Sequence, residues 1–127
     1  MSAPTASKRT AIVLLGHGSR DPQWAEPMRR IQALVAARAD PPVVSLAFLE
    51  FATPGLEQAI GTAVAQGAER VRVVPIFLGQ GGHLRRDVTA LLGAARRVHS
   101  KVEIELAAPM GEDPAVIAAI ADWAAGE

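Results

Sequence analysis

The chain has no cysteine among its 127 residues. Disulfides, zinc–thiolate sites, iron–sulfur ligation and a thiol nucleophile are therefore excluded. Any metal must be met by His, Asp, Glu or main-chain oxygen. The chain also lacks a charge excess: 13 basic residues are balanced by 13 acidic ones. That disfavours a nucleic-acid partner, because phosphate contacts want a basic face. No apolar run approaches the roughly 20 residues of a membrane span, so no membrane partner is expected. The opening "MSAPTASKRT" has no long apolar region after its charges. A signal peptide is not expected, and the cytoplasm is the expected compartment. There is no G-x-x-x-x-G-K-[ST] phosphate loop, neither "GHGSR" nor "GQGGH" fits G-x-G-x-x-G, and Ser19 is not in a G-x-S-x-G elbow. No nucleotide is expected.

What is present is a strand–helix unit used four times. Residues 1–9 read as a flexible N-terminus and 10–127 as one domain, long enough to bury roughly two-thirds of its unfolded surface. The strands are "AIVLL" (Ala11 to Leu15), "VVSLAFL" (Val43 to Leu49), "VRVVPIFL" (Val71 to Leu78) and "VEIEL" (Val102 to Leu106). Asp21-Pro22, Thr53-Pro54 and Asp113-Pro114 each offer an N-cap followed by a proline suited to a first turn. Helical spacing puts Trp24, Met28, Ile31 and Val35 on one face, then Leu56, Ala59, Ile60 and Ala63, with a stop near Gly67. A third helix starts near His83 and buries Leu84, Val88, Leu91 and Ala95. The last turns Ile117, Ile120 and Ala124 inward. Strands one and two are nearly continuous apolar runs, as in a parallel sheet covered on both faces. Strand four alternates apolar with acidic and suits an edge. Pro75 has no N–H to donate, so a bulge or an early strand end is expected there. The fold class is α/β, a three-layer α/β/α domain on a four-stranded parallel sheet with right-handed crossovers.

In such a sheet every strand's carboxyl end lies on one edge, where ligands bind. His17 stands just past strand one, Glu50 just past strand two, and His83 past strand three after the turn "GQGG". The spacing from His17 to Glu50 equals that from Glu50 to His83, one βα unit each. Two imidazoles and a carboxylate suit iron, cobalt, nickel or zinc. Flanking glycines let backbone approach a bulky ligand. Arg20, Arg85 and Arg86 lie near the same rim and could grip carboxylates. Each residue has an ordinary alternative. A loop histidine is commonly just solvated or hydrogen-bonded, Glu50 could cap the next helix, and the "HLRRD" arginines could be a wet helix face. His99 reads as a surface residue near a helix end; Glu103 and Glu105 read as the outer face of the edge strand. A receiver domain would need acidic groups where Gly16-His17 stands. A histidine phosphatase would need an arginine at Gly16.

The motifs "LLGHGSRDP", "AFLEFATP" and "VVPIFLGQGGHLRRDV" resemble the small CbiX-type sirohydrochlorin chelatases, relatives of the cobaltochelatase CbiK and, more distantly, of protoporphyrin ferrochelatase. The resemblance runs from Thr10 to about Asp122, and H-G-S-R combined with P-x-F-L-G-x-G-x-H is specific. It implies a chelatase half-unit that pairs as a homodimer around a shared cavity. It implies sirohydrochlorin, a tetrapyrrole with eight carboxylates, as substrate. The second substrate is a divalent metal, with Co²⁺ first, then Fe²⁺ or Ni²⁺, for cobalamin, sirohaem or nickel tetrapyrroles. His17 and His83 match the family's metal-binding histidines and Glu50 its active-site glutamate. On that resemblance Arg20, Arg85 and Arg86 meet substrate carboxylates, and Ser19 and Gly81 bond near the ring edge. A carrier of metal or tetrapyrrole without catalysis would use the same residues.

Overall fold

The computed structural model describes residues 9–38 and 43–126. The N-terminal segment 1–8, for which the sequence suggested flexibility, lies outside the described residues, as do 39–42 and 127. In chain order the elements are β1 (Thr10–Gly16), a 3-10 turn (Pro22–Ala25), α1 (Glu26–Ala36), β2 (Val43–Phe48), α2 (Leu56–Ala65), β3 (Arg70–Pro75), α3 (Gly82–Val98), β4 (Glu103–Leu106), a second 3-10 turn (Met110–Glu112) and α4 (Pro114–Ala125). The strands form one parallel sheet in the order β2-β1-β3-β4.

Central β1 alternates its side chains between two cores, as the period of two requires. Ala11, Val13 and Leu15 join Val71, Val73, Ile104, Leu56, Ala59, Ile60, Ala63, Val88 and Leu92 under α2 and α3. Leu14 packs on the opposite face with Met28 of α1, Ala25 and Phe48. β3 ends at Pro75, which is paired beside Leu15 and buried. The early stop read from the proline is therefore real, and a fully buried proline ring occupies a place where no ladder donor is needed. β4 lies at an edge, four residues long, with Glu103 and Glu105 on one face. These acids pair with Arg70 and Arg72 of β3: Arg70 Nη2 to Glu105 at 2.5 Å, Arg72 Nη1 to Glu105 at 2.7 Å.

β2 is an edge strand that meets α1 on one face and α2 on the other, as its apolar run suggested, and only its first residue, Val43, is well exposed. Several expectations need correction. Asp21 caps the 3-10 turn through Gln23 N–H, and α1 begins only at Glu26. The cap of α2 is Gly55, not Thr53. The Pro54 carbonyl accepts from Phe48 N–H at 2.9 Å, so the helix starts only after that closure. In α3 Val88 and Ala95 are buried as expected, but the third buried residue is Leu92, while Leu84 and Leu91 are half-buried at its margins. The largest departure is α4, which buries none of its residues; Ile117 and Trp123 are exposed. The loop before it is tied to the exit of β3 by Gly111 N–H on the Phe77 carbonyl at 2.9 Å. From that anchor α4 leans on the second 3-10 turn rather than folding across the sheet.

Candidate active site

The parallel sheet puts the exits of β1, β2 and β3 on one rim. His17 follows β1 directly, Glu50 lies just beyond β2, and His83 is the second residue of α3. All three are exposed. The first two loops are joined by backbone: Leu49 N–H donates to Gly16 O at 3.1 Å and Glu50 N–H to His17 O at 3.0 Å. The His17 ring rests on Phe77, centroids 4.5 Å apart. Phe77 is buried, so the imidazole has a fixed apolar floor at the exit of β3.

Packing by itself accounts for the glycines beside His17. A Cβ on Gly16 would meet Met28 Sδ at 2.6 Å. Gly18 has φ +101°, and a Cβ there would overlap the carbonyl oxygen of Glu50. Only glycine fits that combination of positive φ and close backbone approach. Gly79 and Gly81 differ: a Cβ on either would meet nothing within 4 Å, so this turn faces open space. Gly81 is the N-cap residue of α3 and offers no side-chain acceptor. The N–H groups of the first turn of α3, around His83, are thus left with the positive end of the helix dipole at the rim.

The remaining candidates are placed as follows. Ser19 Oγ accepts from Asp21 N–H at 3.0 Å, a local turn that shapes the loop. Arg20 lies over the Phe51 ring, 4.7 Å from its centroid. Arg85 approaches Glu112 at 3.5 Å. Arg86 donates to the Gly82 carbonyl of its own first turn at 3.3 Å. These contacts are exposed, and surface pairs of this kind are worth about 0–1 kcal/mol, so the guanidinium groups can be recruited by a ligand. Glu50 does not cap α2, whose N-cap is Gly55. Among the described residues, no three His, Asp or Glu side chains lie close enough together to hold a metal ion. One chain therefore lines up three donors on an edge without gathering them into a ligand set. A cleft of about 400 Å³ between α2 and α3, lined by Leu49, Leu56, Glu57 and Leu91, flanks the rim and includes none of the candidates.

Two rim residues escaped the sequence reading. Phe51 is non-glycine at φ 66° and is exposed, beside Glu50. Leu78 is exposed too, its carbonyl pressed against Gly111. Large apolar side chains held open to solvent at a rim suit a flat apolar ligand. The available signal was an aromatic directly after a candidate acid; its left-handed φ was not readable.

The CbiX family model matches residues 11–125. A sirohydrochlorin cobaltochelatase of Methanocaldococcus jannaschii is 42% identical over 89 residues, 70% of this chain and 62% of that protein, so the match spans less than two-thirds of that relative. A structure described as a cobalamin (vitamin B12) biosynthesis CbiX protein from Marinobacter aquaeolei VT8 superposes with TM-score 0.79 at 35% identity, over 92% of this chain and 95% of that one. The sirohydrochlorin chelatase SirB of Bacillus subtilis subspecies spizizenii, in complex with cobalt, has TM-score 0.77 at 27% identity, covering 93% of this chain but 50% of SirB. A structure of Bacillus subtilis SirB with Fe³⁺ has TM-score 0.74 at 28% identity, over 89% of this chain and 45% of that one.

Proposed function

The chain belongs to the CbiX family, and from that premise we propose that it is a sirohydrochlorin chelatase, exchanging two pyrrole N–H protons for one divalent cation. Cobalt is the first metal, as in the names of the curated relatives; iron is the second. The observation that carries the reading is the placement of His17, Glu50 and His83, all exposed, beyond three neighbouring strand ends. Metal insertion needs three things: a cation stripped of water and presented to the ring, acceptors for two protons, and a ring held in place. Neutral imidazoles of His17 and His83 present the metal or accept a proton; a protonated imidazole cannot ligate. The Glu50 carboxylate is the proton acceptor or third ligand. General-base help of this kind is worth about 10²–10⁴-fold. Arg20, Arg85 and Arg86 take substrate carboxylates, and the open Gly79–Gly81 turn leaves room for the ring edge, with Gly81 and Ser19 beside it. Phe51 and Leu78 offer apolar contact to the macrocycle.

The working unit is a homodimer. The chain spans about half of SirB, and its own described donors form no ligand set. A second copy across the rim supplies the rest. Open, exposed donors fit a site that passes metal on and argue against a carrier that holds it. The test is absorbance-monitored insertion of Co²⁺ into sirohydrochlorin by wild type, His17→Ala and His83→Ala. The expected loss is about 10²-fold for each variant. Wild-type rates above the spontaneous background in both variants would overturn the assignment. Stoichiometric binding of the product without turnover would mark a carrier instead.

A further inference from the structure

We infer that α4 is exchanged between two copies of this chain, each lying across the sheet face that its partner's own helices leave bare. The inference rests on the dimer proposed above and names the surface that builds it. It stands on two independent features of one chain. The first is α4 itself. "PAVIAAIADWAA" contains one charged residue in twelve, yet no residue of this helix is buried and Trp123 is 79% exposed. So apolar a helix ordinarily lies against a core. The second is the sheet. α2 and α3 cover one face, and α1 covers β2 and β1 on the other. Over β3 and β4 that second face has no helix among the described residues. Val74 and Ile76 are only half-buried there, and Arg72 and Glu103 are exposed.

The two surfaces match along their length. α4 starts near the rim, because Gly111 is tied to Phe77. Its first half carries Val116, Ile117 and Ile120, and its last turns carry Asp122 and Trp123. The bare face is apolar near the rim, with Val74 and Ile76, and cationic farther down, with Arg70 and Arg72 among their acids. A helix running down the face antiparallel to the strands sets aliphatic on aliphatic. It also brings Asp122 and the Trp123 ring to the guanidinium groups, where a cation–π contact can form.

The occupant is a second copy because the start of α4 is pinned. Asp113 caps it through Ala115 and Val116 N–H, and Asp113 N–H is held by Met110 O at 3.2 Å. From that start α4 packs on the second 3-10 turn rather than on its own sheet. The described residues of one chain thus carry a helix without a sheet and a sheet face without a helix, a self-complementary pair that a two-fold axis satisfies twice. A 12-residue helix is about 18 Å long, and two such contacts approach the roughly 1,200–2,000 Å² of a specific interface.

The experiment uses Trp123 as reporter. Trp24→Phe leaves it the only tryptophan in the full chain. Molar mass by light scattering and Trp123 emission are then compared in Trp24→Phe and in Trp24→Phe with Ile120→Asp. The expected result is a dimer with blue-shifted emission. Ile120→Asp halves the mass and returns Trp123 emission to that of a solvated indole, with far-ultraviolet dichroism of the sheet domain retained. A dimer whose mass is untouched by Ile120→Asp overturns the exchange and leaves the dimer reading standing. A dimer with solvated Trp123 does the same. A monomer from the outset overturns both, and blue-shifted emission in that monomer shows α4 folded onto its own sheet.

Discussion

Replacing Gly18 with alanine should cost about 2–3 kcal/mol of folding stability. Gly18 sits at φ +101°, and its added Cβ would occupy the place of the Glu50 carbonyl oxygen. Holding an L-residue at positive φ costs about 1–2 kcal/mol. The overlap is with backbone, not with a flexible side-chain end, so one of the two loops must move. That movement breaks the Glu50 N–H bond to His17 O, a further loss of about 1 kcal/mol. For a domain with about 5–15 kcal/mol in hand, such a loss changes the unfolding equilibrium by roughly a hundredfold. Urea unfolding followed by tryptophan emission reads it as a lower midpoint at unchanged slope. Gly79→Ala is the control: φ is not positive, nothing lies within 4 Å, and a change within about 0.5 kcal/mol is expected. Equal midpoints for Gly18→Ala and Gly79→Ala would refute the claim that backbone packing requires the glycine after His17.

Two further outcomes follow from other parts of the molecule. Hydrogen bonds from Arg72 and Arg70 hold the Glu105 carboxyl below the usual carboxylate range. Its contribution is therefore fully present above about pH 4.3, the ordinary glutamate value, and drains away as pH falls through the lower folded value. Glu105→Gln should lose about 1 kcal/mol at neutral pH, since the group is partly exposed, and its midpoint should fall less than that of wild type on acidification; parallel acid profiles would sink the idea. At the rim, Phe51→Gly relieves about 1 kcal/mol of left-handed strain while losing the Arg20 contact, about 0.5–1 kcal/mol. Thermal stability should hardly change, but KM for sirohydrochlorin should rise. An unchanged KM would remove Phe51 from the binding surface.

Legibility varied with the range of the forces involved. The α2 face was readable residue by residue, because Leu56, Ala59, Ile60 and Ala63 repeat at helical spacing and all four are buried. Pro75 marked the end of β3 because a missing N–H is a local property. The rim was readable as well, since parallel strands send every exit the same way. The start of α2 was not readable, because it depends on Pro54 closing back onto Phe48. The inward face assigned to α4 was wrong for a similar reason: spacing shows that a helix has an apolar side, not which surface that side meets.

Local chemistry in the chain decided the strand–helix alternation, the caps at Asp21 and Asp113, the edge character of β4 and the three donors placed after three strands. Those features depend on side-chain pattern and neighbouring backbone, which the order of residues carries directly. Tertiary structure alone decided why Gly18 must be glycine and why Gly16 sits tight against Met28, that His17 lies on Phe77, that Phe51 stands open at the rim, and that α4 finds no core among the described residues. Each of these depends on which distant segments meet, and that is set by packing the whole sheet.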